Sequence, residues 1–154
     1  MSHIPFLQQE HICTAVDATT RDELLRVAAQ KINSVCADLS AQTLFQALWE
    51  REELGSTALG SQVAIPHCKI EGLDQIRLFV FTSARGIDFG SPDGQPTSLF
   101  FVILSPPQRV SEHLQVLARI ARLTRSDGFV SDALAASDPV RILQCIEQYW
   151  ERLG

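Results

Sequence analysis

Leu99-Phe100-Phe101-Val102-Ile103-Leu104 is the longest apolar run of the chain, a short aromatic and β-branched stretch with no polar alternation. Such a run predicts a central strand covered on both faces. Pro92-Asp93-Gly94 punctuates the loop ahead of it. Val63 to Ile65 and Ile76 to Thr82 are similar short runs bounded by Gly, Pro, Ser and Asp, and predict two more strands.

On either side of these strands the period becomes helical. Thr20 and Glu23 form a capping box ahead of Leu24, Leu25, Ala28 and Ile32, which predicts a helix over residues 20–32. Ala41, Leu44, Phe45, Leu48 and Trp49 share one face of a second helix over residues 40–54, with Gly55 as terminator. Beyond Pro106 and Pro107, Leu114, Leu117, Ala118 and Ala121 line a helix over residues 111–125. A short helix is expected over residues 129–135. Asp138 as N-cap with Pro139 at the first position starts a last one, to about Trp150. The order predicts an α/β fold, a three-layer sandwich whose mixed β-sheet is flanked by helices on both faces, with residues 1–154 as one domain.

With 154 residues, 45% hydrophobic and 20% charged, the chain can bury a stable core without disulfides or a structural metal. Its net charge of −5 is spread without any run of Lys and Arg, so nucleic acid is not an expected partner. No apolar stretch approaches the roughly 20 residues that span a bilayer, and the N-terminus lacks the regions of a signal peptide. No membrane insertion and a cytoplasmic location are therefore expected. Cys13, Cys36, Cys68 and Cys145 form no CxxC pair. Cys145 shares a helical stripe with Ile142, Ile146 and Tyr149 and reads as a small buried hydrophobe.

The segment from Leu54 to His67 joins a helix end to a strand end. Gly55 and Gly60 permit tight turns that expose N–H groups, and Ser56 and Thr57 add hydroxyls, the equipment for holding an anion such as a phosphoryl group. Loops joining any helix to any strand share these features. Pro66 forces Ile65 to be extended and cannot donate to a ladder, so His67 is expected where the strand stops pairing. Neutral imidazole is a good nucleophile near pH 7, and a hydrogen bond at one nitrogen can fix which tautomer attacks.

His113 falls in the first turn of its helix at the margin of the buried stripe, and either donates to a phosphoryl oxygen or packs and caps. Arg51 sits beside an apolar face one turn before Ser56, where it offsets new negative charge or complements the helix terminus. His3 and His11 have no matching constellation and read as surface residues. Asp88 and Asp93 flank Gly90 and suit Asx-turns better than general-base work.

Taken in order, Glu50-Arg51-Glu52-Glu53-Leu54-Gly55-Ser56-Thr57, Val63-Ala64-Ile65-Pro66-His67-Cys68-Lys69, Ile87-Asp88-Phe89 with Asp93-Gly94-Gln95-Pro96, and His113-Leu114 resemble one family. It is the IIA component of the bacterial phosphoenolpyruvate-dependent sugar phosphotransferase system, of the mannitol/fructose type. The likeness is greatest to the family's nitrogen-regulatory branch, and it runs over residues 5–150. It implies that His67 carries a phosphoryl group, flanked by His113 and Arg51, with Gly55, Ser56 and Thr57 beside them. Members often have glycine after the active histidine, where this chain has Cys68.

The implied activity is that of a phosphotransferase acting as a stoichiometric carrier without cofactor or metal. Its donor would be an HPr-like phosphocarrier protein. Its outlet would be a regulatory target such as a potassium transporter or sensor kinase, or alternatively a IIB domain of a sugar permease. Outside the family, an interaction module that is never phosphorylated, and a metal site from His67, Cys68 and His113, are the competing readings; the second lacks a fourth ligand at usable spacing.

Overall fold

Side-chain caps start the helices where the sequence places them. Thr20 Oγ1 accepts from the Glu23 N–H at 3.1 Å ahead of α1, Arg21–Val35, and Ser40 caps α2, Ala41–Glu53. Asp138 accepts from the Arg141 N–H at the start of α5, Pro139–Arg152. The remaining α-helices among the described residues are α3, Val110–Thr124, and α4, Phe129–Ala135. The computed structural model describes residues 7–154, so His3 lies outside the described residues.

Among the described residues six strands form one mixed sheet: β1, Ile12–Cys13; β2, Ala58–Gly60; β3, Val63–Ala64; β4, His67–Lys69; β5, Arg77–Ile87; and β6, Thr97–Ser105. β6 is antiparallel to β5 on one side and parallel to β3 and β4 on the other. β1 runs parallel to β5, and β2 antiparallel to β3, at the two ends. Every residue of β6 is buried, as an unalternating run demands.

Alternation along β6 distributes two cores. Phe100, Val102 and Leu104 pack with α1 and α2, while Leu99, Phe101 and Ile103 pack with α3, α4 and α5 on the other face. The sheet is therefore the middle of three layers. Each such side chain taken from water contributes about 1.5–3 kcal/mol, so this strand anchors both faces.

Four features differ from the sequence expectation. β1, β2 and β4 are only two or three residues long, too short to show a period. The strand expected over residues 76–82 continues to Ile87 through a register slip after Thr82. Gly86 serves that slip at φ 78°, where a Cβ would come within 2.7 Å of Pro96. His11 is half-buried with its ring 4.6 Å from that of Phe79, rather than a surface residue.

The fourth concerns the expectation that strand pairing stops at His67. Val63 pairs with Leu99 and His67 with Ile103, so the register is the same on both sides of Pro66. The proline has no N–H to give, but its carbonyl accepts from the Ile103 N–H at 3.0 Å and the ladder resumes. His67 thus opens a strand instead of leaving one.

Candidate active site

Period-two alternation puts His67, Ile103 and Ser105 on the face of the sheet that α3 covers. The His67 and His113 ring centroids are 5.3 Å apart. α2 packs against β4, bringing Arg51 to the same place, and all three side chains line an open cavity of about 660 Å³. The structure therefore brings together His67, His113 and Arg51.

The His67 ring is half-buried and its Nδ1 lies 2.8 Å from the Ile65 carbonyl oxygen. A carbonyl only accepts, so Nδ1 carries the proton and Nε2 is left with its lone pair. Burial, opposed by that hydrogen bond and aided by the Arg51 charge, holds the His67 pKa below the usual imidazole range. Neutral imidazole with a free Nε2 is the form present at pH 7.

His113 is only 6% exposed, deeper than the margin the helical stripe suggests. Burial, together with the His67 and Lys69 charges, pushes its pKa down to about 4. Its Nδ1 is hydrogen-bonded to the Ser105 hydroxyl. Arg51 Nη1 donates to the Gly55 carbonyl at 2.8 Å, which ties the guanidinium to the loop after its own helix. Gly55 has φ 153°, a conformation left to glycine, and that turn aims the carbonyl back toward Arg51.

The loop differs from its expected role as a set of donors to an anion. The Gly55 N–H donates to the Glu52 carbonyl, the Ser56 hydroxyl to the Phe89 carbonyl at 2.5 Å, and both the N–H and hydroxyl of Thr57 to the Glu52 carboxylate. None of Gly55, Ser56 or Thr57 lines the cavity. At Thr57 the physical reason is Glu52, a residue only 3% exposed whose buried carboxylate must be satisfied by nearby donors. Burial raises its pKa against the lowering effect of Thr57.

Three contributors carry no sequence signal of their own. Glu52 looks like one more charge on a helix, and Ser105 like a strand end. Lys69 is exposed, shares the strand face of His67 and lines the cavity. Cys68 points the other way, into the core under α2, and burial pushes its thiol up to about 12. A thiol held protonated there is a poor nucleophile, and among the described residues no group of three or more His, Cys, Asp or Glu side chains is placed to hold a metal. Asp88 and Asp93 accept from the N–H groups of Gly90 and Gln95, the Asx-turns expected of them.

A family model described as "Phosphoenolpyruvate-dependent sugar phosphotransferase system, EIIA 2" matches residues 5–149. The chain belongs to this family. It is 41% identical over 114 residues to a nitrogen regulatory protein of Bradyrhizobium diazoefficiens, covering 72% of this chain and 74% of that one. The crystal structure of nitrogen regulatory protein IIA-Ntr from Neisseria meningitidis superposes with a TM-score of 0.85 at 29% identity, over 92% of this chain and 96% of that one.

Mannitol IIA of Escherichia coli, solved in complex with phosphorylated enzyme IIB, shares the fold of this EIIA chain. The TM-score is 0.75 at 20% identity, over 91% of this chain and 96% of that one. Among the described residues no helix is long and apolar enough to cross a membrane.

Proposed function

We propose that His67 accepts a phosphoryl group from an HPr-like phosphohistidine protein in the cytoplasm and holds it as a stoichiometric carrier. The observation that carries this reading is the Nδ1 anchor on the Ile65 carbonyl, which leaves Nε2 unprotonated toward an open cavity. The P–N bond of the donor's phosphohistidine breaks as a P–N bond forms at His67 Nε2. The proton stays on His67 Nδ1, hydrogen-bonded to the Ile65 carbonyl, and the donor's imidazole leaves with its electron pair. Little covalent work falls to the protein, so catalysis is positioning and charge stabilisation.

The transferred group brings about −1.5 to −2 charges into a partly desolvated site. Arg51 and Lys69 offset that charge and His113 donates to a phosphoryl oxygen. Gly55, Ser56 and Thr57 act one step away: Gly55 through the carbonyl that holds Arg51, Thr57 through Glu52 and Ser56 through the Phe89 carbonyl, which hold the loop. The lodged dianion then alters the surface that a target meets, such as a potassium transporter or sensor kinase.

Incubation with the phosphorylated carrier tests the reading by intact mass. The expected result is an acid-labile phosphoryl adduct on the wild type and none on His67→Ala; full labelling of that variant overturns it. Passage of the group to a IIB domain is the second reading, suggested by the mannitol IIA complex with phosphorylated IIB. Loss of label from the protein on mixing with a IIB domain separates the two.

A further inference from the structure

His113 is neutral in this setting, and a neutral imidazole has one N–H and one lone pair. Which nitrogen holds the proton decides whether the ring can donate to a phosphoryl oxygen at all. We propose that Ser105 is the positioning residue that makes this choice: its hydroxyl donates to His113 Nδ1, so that the ring's one proton sits on Nε2. The proposal rests on the phosphoryl-acceptor reading of His67 only for its functional consequence.

Bond accounting around a fully buried hydroxyl supports this. Ser105 is 0% exposed, and among the described residues its Oγ makes one hydrogen bond, to His113 Nδ1. If Nδ1 were the donor, the serine proton would be buried with no acceptor, an arrangement folded proteins avoid. If the serine donates, its hydroxyl proton and the Nδ1 lone pair are both satisfied. The remaining N–H is then on the nitrogen free to meet a ligand in the cavity.

The placement of Ser105 follows from register. It pairs with Lys69 two residues beyond the pair of His67 with Ile103, so its side chain emerges on the same face as the His67 ring. The turn through Pro106 and Pro107 brings α3 back over that face, with His113 at its start. The two rings thereby take opposite roles from opposite anchors. Ile65, a pure acceptor, leaves His67 Nε2 as a lone pair; Ser105, a donor, leaves His113 Nε2 as an N–H. A nucleophile and a donor for the incoming group stand 5.3 Å apart between centroids.

The test reads the tautomers directly by nitrogen-15 spectroscopy of imidazole-labelled full-length protein near pH 7. The wild type is expected to show the His113 proton on Nε2 and the His67 proton on Nδ1. Ser105→Ala is expected to give a mixture at His113 with His67 unchanged, and on the order of tenfold slower phosphoryl acceptance. Ser105→Thr, which retains the hydroxyl, restores tautomer and rate. A wild-type spectrum with the proton on His113 Nδ1 overturns the assignment whether or not either variant folds. An unchanged His113 tautomer in Ser105→Ala also overturns it. A protein that shows the Ser105-dependent Nε2 proton yet never takes up phosphoryl upholds the tautomer assignment and overturns the acceptor reading instead.

Discussion

Two polar clusters lie side by side at the end of α2, and they differ in whether their hydrogen bonds close. In the Glu52 cluster, a buried carboxylate takes the N–H and hydroxyl of Thr57, and the neighbouring Ser56 hydroxyl goes to Phe89. Glu52 and Thr57 are buried and paired with each other. In the histidine cluster each ring uses Nδ1 on an internal partner and turns its other nitrogen to a cavity. A satisfied knot shapes backbone, whereas one unfilled valence per ring is what chemistry needs.

The sharpest way to break this contrast is to remove the open valence. His67→Ala is expected to abolish acid-labile labelling by the phosphorylated carrier while leaving the fold intact by circular dichroism. His113→Ala retains the proposed acceptor but removes the proposed transition-state donor, so single-turnover transfer is expected to slow by about 10²-fold. An unchanged rate would make that ring structural.

The closed cluster should respond in stability first. Thr57→Val removes a hydroxyl donor from a buried carboxylate, and an expected loss of about 1–3 kcal/mol is read from urea unfolding. Transfer then slows only as far as Arg51 follows its loop.

Acidity separates the clusters more gently, because their shifts have opposite signs. His113 has a folded pKa of about 4 against 6.5 when unfolded, so between these values the unfolded chain binds more protons. Its contribution is complete above pH 6.5 and is lost as pH falls toward 4. Glu52 has a raised pKa, so its contribution is complete below the usual carboxylate range and is lost as pH rises through the folded value. Thermal unfolding across pH 4 to 7 is expected to show a falling acid limb that His113→Gln flattens.

The smallest effect is expected at the cavity rim. Leu54 is 85% exposed and Leu114 59%, so Leu54→Ser and Leu114→Ser should each change stability by no more than about 0.5 kcal/mol.

Much of the architecture was legible because it is written in local period. The run through Leu99 to Leu104, the capping residues Thr20 and Asp138, and Phe129 to Ala135 each declare an element without help from distant residues. β1, β2 and β4 were not legible, because two or three residues cannot display alternation and exist as strands only through the partners they meet. Pro66 misled for a related reason: a missing N–H is local, but the carbonyl that keeps the ladder going needs Ile103 opposite it.

His67, His113 and Arg51 could be singled out by residue type, since imidazole and guanidinium suit phosphoryl chemistry wherever they meet. The chain alone fixed these side chains, their helix and strand periods, and the resemblance carried by ordered motifs. Only the tertiary structure decided that Thr57 serves a buried carboxylate and Ser56 the Phe89 carbonyl, that Cys68 packs into the core under α2, and that Ser105 reaches His113. Hydrogen-bond valence is shared among residues far apart in sequence, and who satisfies whom is settled when the sheet register brings them within reach.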